Sequence, residues 1–269
     1  MAKVSIIIPA RNEEHLQKTI DSLLGAAAGD IEIIIFLDGY WPVPILRGDS
    51  RLVTIHSKRQ GMRPGINACA RIARGEFLMK CDAHCIFGKG FDKLLVDNCE
   101  ENWLAVPSRY NLKDDTWNRG MKLTEHMYIS PPPEFRGKRW GTYAKRHGAD
   151  LPISDLMTFQ GSCWFMPTTL FWNIGGLDLE YGTSGKEAQE LGNKVWLSGG
   201  RVIRNKLTWY AHQHKRRNYS LPRGEREKST RRAIDIWMNN KWDKQIHEFK
   251  WLVDKFAPVP GWENWQWDS

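Results

Sequence analysis

Apolar residues follow two rhythms along this chain: short unbroken runs rich in β-branched residues, and stretches where they recur every three or four positions. "KVSIIIPA" (3–10), "IEIIIFLDG" (31–39) and "RLVTIHS" (51–57) are of the first kind and predict buried strands, the first stopped by Pro9. Between the first two, "NEEHLQKTIDSLLGAAAG" brings Leu16, Ile20, Leu23 and Leu24 to one face. It predicts a helix capped by Asn12 and ended by Gly25 or Gly29. "GMRPGINACARIARG" predicts a loop and helix, and "EFLMKCDAHC" (76–85) a fourth strand. This alternation predicts an α/β fold with a mostly parallel central sheet flanked by helices. Sites in such sheets lie beyond the carboxyl ends of the strands, so Pro9 to Glu13, Asp38 and Asp82 should converge there.

Periodicity fades over 107–157, where charges mix with aromatics and "SPPPEFRGKRWG" interrupts; this predicts a long surface excursion. Regularity returns with a strand at "LMTFQGSCWFMP" (156–167) and a short helix at "TTLFWNIGGLD". A helix at "EAQELGNKVWLSGG" (187–200) and a strand at "RVIRNKLTWYAHQHK" follow. The last stretch (229–256) carries Ala233, Ile236, Trp237, Ile246, Phe249, Leu252, Val253 and Phe256 at helical spacing and predicts a helix or helix pair. With no internal repeat, the 269 residues read as one domain.

In an extended chain Asp82 and His84 project to one side, and Cys81, Ala83 and Cys85 to the other, into the core. That argues against a zinc site shared by these cysteines and His84. The Asp–His pair suits either a divalent cation or a structural hydrogen bond.

Composition narrows the partners. No stretch approaches the roughly 18 apolar residues of a membrane span, and the short apolar run of "MAKVSIIIPARNEE" does not read as a signal peptide. Five cysteines, an odd number without a regular framework, suggest reduced thiols and a cytoplasmic location. The net charge is +8, and residues 201–250 hold 14 Lys/Arg against 5 Asp/Glu, enough for the whole excess. Such a concentration suggests a polyanion, a phosphate-bearing ligand or an anionic membrane surface, or else a solvated helix face. Trp251, Trp262, Trp265 and Trp267 crowd the C-terminus and should pack onto their own domain.

"VSIIIPARNEEHLQKTIDSLL", "EIIIFLDG" and "ARGEFLMKCDAHC" resemble, in order and spacing, the start of family 2 glycosyltransferases of the GT-A fold. "FQGSCWFMPTTLFWNIGGLD", "GKEAQELGNKVWLSGGRV", "AHQHK" and "NYSLPRG…STRRAIDIWMN" resemble successive motifs of the catalytic domain of polypeptide N-acetylgalactosaminyltransferases. The resemblance implies a nucleotide-binding half (1–105), an acceptor and sugar half (106–228) and a C-terminal helix and tail (229–269). It implies metal ligation by Asp82, His84 and His212, with His214 as a fallback, and Mn²⁺ or Mg²⁺ as cofactor. Pro9, Arg11, Asp38 and Arg63 would line the uridine of a UDP-sugar donor, Lys215 the diphosphate, and Tyr219 a loop closing over the donor. Glu187, Gly161 and Ser162 would flank the transferred sugar.

Two departures from that pattern matter. The tryptophan expected before the glutamate motif is absent, and Ala188 stands where many inverting relatives carry an aspartate base. That favours a retaining reaction; if the enzyme inverts, Glu187 is the candidate base. The excess positive charge suggests a DNA acceptor bearing hydroxymethylated pyrimidines. Protein Ser/Thr or a saccharide is the alternative acceptor. A non-catalytic binding protein and a transferase acting at a membrane surface are the other readings.

Overall fold

A computed structural model of the chain describes residues 3–113, 115–124, 126–214 and 219–267. The first half runs β1 (Val4–Ala10), α1 (Leu16–Ala26), β2 (Ile31–Asp38), β3 (Leu52–Ser57), α2 (Met62–Ile72), β4 (Phe77–Cys81), β5 (Cys85–Phe87) and α3 (Phe91–Val96). The second begins with β6 (Trp103–Lys113), β7 (Asn118–Thr124), β8 (Met127–Ile129), β9 (Gly137–Arg139), β10 (Ile153–Asp155) and β11 (Cys163–Pro167). It closes with α4 (Thr168–Asn173), α5 (Glu187–Leu197), β12 (Arg201–His212), α6 (Glu225–Met238) and α7 (Phe249–Lys255).

The main sheet has the order β10-β12-β6-β11-β4-β1-β2-β3, with β5 added to β12 and β7 to β6. β1, β2, β3 and β4 are parallel, as expected. β11 runs antiparallel to both β4 and β6, while β6 and β12 are parallel again. The unbroken apolar runs follow from burial on both faces. Ile6, Ile8, Ile33 and Ile35 pack with α1 and α3, whereas Ile7, Ile34 and Phe36 pack with α2 and with the α5 residues Leu191 and Val195.

Several local expectations are corrected. Helix α1 starts at Leu16 behind His15, so Asn12 does not cap it, and it stops at Ala26. Residues 107–157 are no mere excursion: β6 is a central strand, and β7, β8, β9 and β10 fall within the stretch. Its mixed polarity arises because β6 is buried at its start and leaves the core as it pairs with β7. The strand expected at 156–167 begins only at Cys163, since Phe159, Gln160, Gly161 and Ser162 line a cavity. The fourth strand is broken as well: β4 ends at Cys81, and β5 joins β12. Alternation survives the break, with Cys81, Ala83 and Cys85 all in the core.

The final helical stretch is a pair, α6 and α7. Among the described residues no helix is long and apolar enough to cross a membrane. The C-terminal tryptophans pack onto their own domain: Trp262 is buried, stacks on Trp267 at 5.2 Å, and donates its indole N–H to the Ile129 carbonyl at 2.7 Å. Trp262→Ala is expected to cost about 3–5 kcal/mol, read as a lower urea midpoint with an unchanged slope.

Candidate active site

Backbone pairing brings three distant segments to one point. The Asp82 N–H donates to the Ser162 carbonyl at 2.9 Å, tying the end of β4 to the approach to β11. The Gln213 N–H donates to the His84 carbonyl at 3.1 Å, and His212 stands opposite Cys85 in the β5–β12 ladder. Asp82, His84 and His212 therefore meet, with one ligand atom from each lying within 4.8 Å of the others. His212 Nε2 lies 3.2 Å from Asp82 Oδ2, and His84 Nε2 lies 4.0 Å from the same oxygen. Nδ1 of His84 faces Glu13 Oε2 at 3.2 Å, which turns its Nε2 toward the cluster. One carboxylate oxygen and two imidazole nitrogens around a common point form a donor set that could hold a divalent cation.

The cluster sits in the wall of a cavity of about 1290 Å³ at the carboxyl ends of β1, β2 and β4. Beneath it lies a lysine that the sequence reasoning did not single out. Lys80 is buried, and its Nζ donates to Asp82 Oδ1 at 2.6 Å and to the Gly161 carbonyl at 2.5 Å, with Glu187 Oε2 at 3.6 Å. Burial alone would lower the Lys80 pKa, but the flanking Asp82 and Glu187 carboxylates raise it, so the ammonium stays charged. Burial opposes ionisation of Asp82 too, yet Lys80 and the two histidines hold it well below the usual carboxylate range. Burial pushes Glu187 up, against the pull of Lys80 and of the Trp164 indole N–H, which donates to Oε1 at 2.7 Å. The same cause lowers His212 to about 4, with Asp82 opposing it, so the imidazole is neutral and able to ligate.

Pro9, Arg11, Asp38, Asp82, His84, Gly161, Ser162, Glu187, His212 and Tyr219 all line the cavity. Asp38 Oδ1 accepts the Gln60 and Gly61 N–H groups at 2.6 and 3.0 Å, and Oδ2 lies 3.5 Å from Arg11. The Arg11 guanidinium lies 5.0 Å from the Tyr219 ring centroid, bringing that residue to the same end. A Cβ on Gly161 would lie 3.0 Å from Glu187 Oε2, so the glycine permits the carboxylate's approach. Ser162 is held by Tyr210 at 2.8 Å and by Gln160. His214 also lines the cavity, its ring 4.9 Å from that of His212, but its Nε2 lies 2.9 Å from Arg109 and it is not one of the three clustered ligands. Lys215 lies outside the described residues.

Arg63 is the exception. It does not reach the cavity wall; it is fully buried and ion-paired with Glu190. It also donates to the Asp178 and Gly185 carbonyls and lies over the Tyr181 ring at 4.4 Å. Its neighbour Met62 is the one that lines the cavity, because the first turn of α2 points Arg63 inward toward α5. Lys80 had a signal in the sequence: a lone cation in "FLMKC", in phase with Asp82 and His84 at steps of two.

Several cations of the basic region are engaged locally. Arg201 pairs with Asp155, Arg232 with Asp178 and Glu180, Lys241 with Asp235 and Lys250 with Asp254, while Arg204 is buried. Arg226, by contrast, lines the cavity together with Arg59, Arg136 and Lys186.

A family model described as "Glycosyl transferase family 2" matches residues 5–175. Human polypeptide N-acetylgalactosaminyltransferase 10 is 24% identical over 274 residues, a span of 89% of this chain and 42% of the relative. Drosophila melanogaster N-acetylgalactosaminyltransferase 4 is 25% identical, over 77% of this chain and 32% of the relative. The chain thus spans less than half the length of these curated relatives. Among solved structures, GalNAc-T7 with UDP, GalNAc and Mn²⁺ superposes with a TM-score of 0.72 at 16% identity, over 95% of this chain and 56% of the other. S. aureus TarS 1–349 in complex with UDP-GlcNAc gives 0.59 at 14% identity, over 93% and 69%. These superpositions identify the fold as GT-A.

Two outcomes follow from the buried charges. Arg63→Met should lower stability by about 3–5 kcal/mol, because Glu190 is left short of a buried partner; equilibrium unfolding in urea measures it. In the metal-free protein, burial holds both His212 and His126 at about 4. The unfolded chain takes up these protons from about pH 6.5, so stability is fully present above that value and is lost as pH falls toward about 4. A flat urea midpoint across that window would contradict this.

Proposed function

The chain belongs to glycosyl transferase family 2, and from that premise we propose that it is a metal-dependent enzyme transferring an N-acetylhexosamine from a UDP donor to a hydroxyl acceptor. The observation that carries this reading is the meeting of Asp82, His84 and His212 in one cavity whose other end holds Pro9, Arg11 and Asp38. Bound by the three side chains, Mn²⁺ would supply the charge that stabilises the departing diphosphate. Arg11, Asp38 and Tyr219 would hold the uridine end of the donor. Lys186, Arg59 and Arg226 add positive charge along the same wall. At the sugar end, Gly161, Ser162 and Glu187 set the shape of the pocket.

Retention of anomeric configuration is the proposed stereochemistry. Glu187 accepts from Trp164 and faces Lys80, which leaves it poorly disposed to act as a base, and Ala188 offers no carboxylate. A retaining path needs neither, because an oxygen of the leaving diphosphate can take the acceptor proton.

For the acceptor, a protein Ser or Thr hydroxyl is preferred over hydroxymethylated DNA. Relatives that match most of this chain bear the name of polypeptide transferases, and four of the basic residues of 201–250 that suggested a polyanion are already held by carboxylates. A reducing, cytoplasmic setting remains part of the proposal, on the odd count of five cysteines without a regular framework.

Peptides, hydroxymethylated DNA and simple glycosides, each incubated with UDP-N-acetylhexosamines and Mn²⁺, should separate these readings by mass spectrometry. Mass gain on the peptide is expected, and gain on DNA alone would reverse the acceptor assignment. Asp82→Ala should reduce transfer by about a hundredfold or more, and a chelator should abolish it. No transfer from any UDP-sugar would sink the enzymatic reading.

A further inference from the structure

Among the described lysines and arginines that line the candidate site, Lys80 is the one that is buried. A lysine is rarely found this deep without a partner, since removing an ammonium from water costs several kcal/mol. Here three oxygens compensate: Asp82 Oδ1 at 2.6 Å, the Gly161 carbonyl at 2.5 Å and Glu187 Oε2 at 3.6 Å. The arrangement divides the Asp82 carboxylate between two tasks. Oδ1 belongs to the lysine, and Oδ2 faces His212 and His84.

That division has an electrostatic consequence. Without the lysine, the half-buried Asp82 and the buried Glu187 would present two negative charges beside a pair of imidazoles, an environment that grips a bare divalent cation. With it, one of those charges is cancelled from below, and Asp82 has a single oxygen left to offer. A cation entering alone meets a weakened site; a cation accompanied by a diphosphate brings its own negative ligands.

We propose that Lys80 is a positioning residue that makes metal binding conditional on the nucleotide: it fixes Asp82 as a one-oxygen ligand and offsets its charge, so that Mn²⁺ is held firmly only together with UDP. This rests on the reading that Asp82, His84 and His212 hold a divalent cation. It adds a residue outside the three-ligand donor set, one that acts through Asp82. The link also runs to the sugar end, because the same ammonium holds the Gly161 carbonyl and faces Glu187.

The test is Mn²⁺ titration of the metal-stripped protein, followed by the electron paramagnetic resonance signal of free Mn²⁺, with and without saturating UDP. Wild type, Lys80→Met and Lys80→Gln are compared, with thermal melting as the check on folding. Glutamine removes the charge but keeps a side-chain donor for Asp82 and Gly161. Wild type is expected to bind Mn²⁺ at least about tenfold more tightly with UDP than without. Both variants should bind Mn²⁺ alone about tenfold or more tightly than wild type does, and their gain from UDP should shrink.

Variants that bind Mn²⁺ alone no more tightly than wild type would overturn the proposal. So would a change confined to Lys80→Met, which would assign the effect to carboxylate orientation and not to charge. If neither variant folds, wild type decides, because equal Mn²⁺ affinity with and without UDP would also overturn it. Absence of Mn²⁺ binding by wild type even with UDP would remove the proposed function itself, and this inference with it.

Discussion

Two backbone hydrogen bonds, Asp82 N–H to Ser162 O and Gln213 N–H to His84 O, fix where the chemistry of this protein can occur. They stitch the broken end of β4 to two other parts of the sheet, the approach to β11 and the end of β12. Asp82 cannot move without pulling on the loop that carries Gly161 and Ser162, and His84 cannot move without pulling on the end of β12. The same break frees β5 to pair with β12, which sets His212 opposite Cys85. A continuous fourth strand would have kept its ladder with β1 or β11 and left β12 without this partner. The break is therefore what converts three segments into one site.

Around those bonds, two buried ion networks give α5 its position. Near its start, Glu187 lies between the Trp164 indole and Lys80. One turn on, Glu190 is held by Arg63 and by Lys194, and its Oε1 also accepts the Asp178 N–H at 2.7 Å. Buried ion pairs are poor sources of net stability, because desolvation offsets most of the attraction. Their effect here is registry: with Arg63 reaching across from α2, α5 has one rotation that satisfies every charge, and that rotation turns Glu187 toward the cavity. Arg63 thus supports the site without lining it.

This separates what was legible in the sequence from what was not. The parallel first half was legible because burial on both faces writes itself as unbroken β-branched runs, as in Ile31–Asp38. Asp82 and His84 were legible as a same-side pair from alternation alone, even though the strand breaks between them. His212 came from the family resemblance, since nothing local links it to residues 130 positions earlier. Strand β6 was missed because its outer half lies at an exposed hairpin, where mixed polarity hides the period. Antiparallel β11 was invisible because direction depends on the long path before it, not on the composition of "CWFMP". Arg63 was misread because a resemblance aligns positions and does not say which way a helix turns them.

Charge was the least reliable guide, for a related reason. A count of Lys and Arg along the chain carries no record of which ones meet a carboxylate after folding. In 201–250 Arg201, Arg232, Lys241 and Lys250 do, and Arg204 is buried, so the linear excess overstates the free positive charge. A set of cations does converge: Arg11, Arg59, Arg136, Lys186 and, from within that segment, Arg226 come from distant parts of the chain to a single cavity wall. Against them the same wall sets Asp38, Asp82 and Glu187, each already engaged by a hydrogen bond or cation. A cavity so arranged favours anions, and under the proposed function the diphosphate of the donor would account for this charge without a polyanionic acceptor.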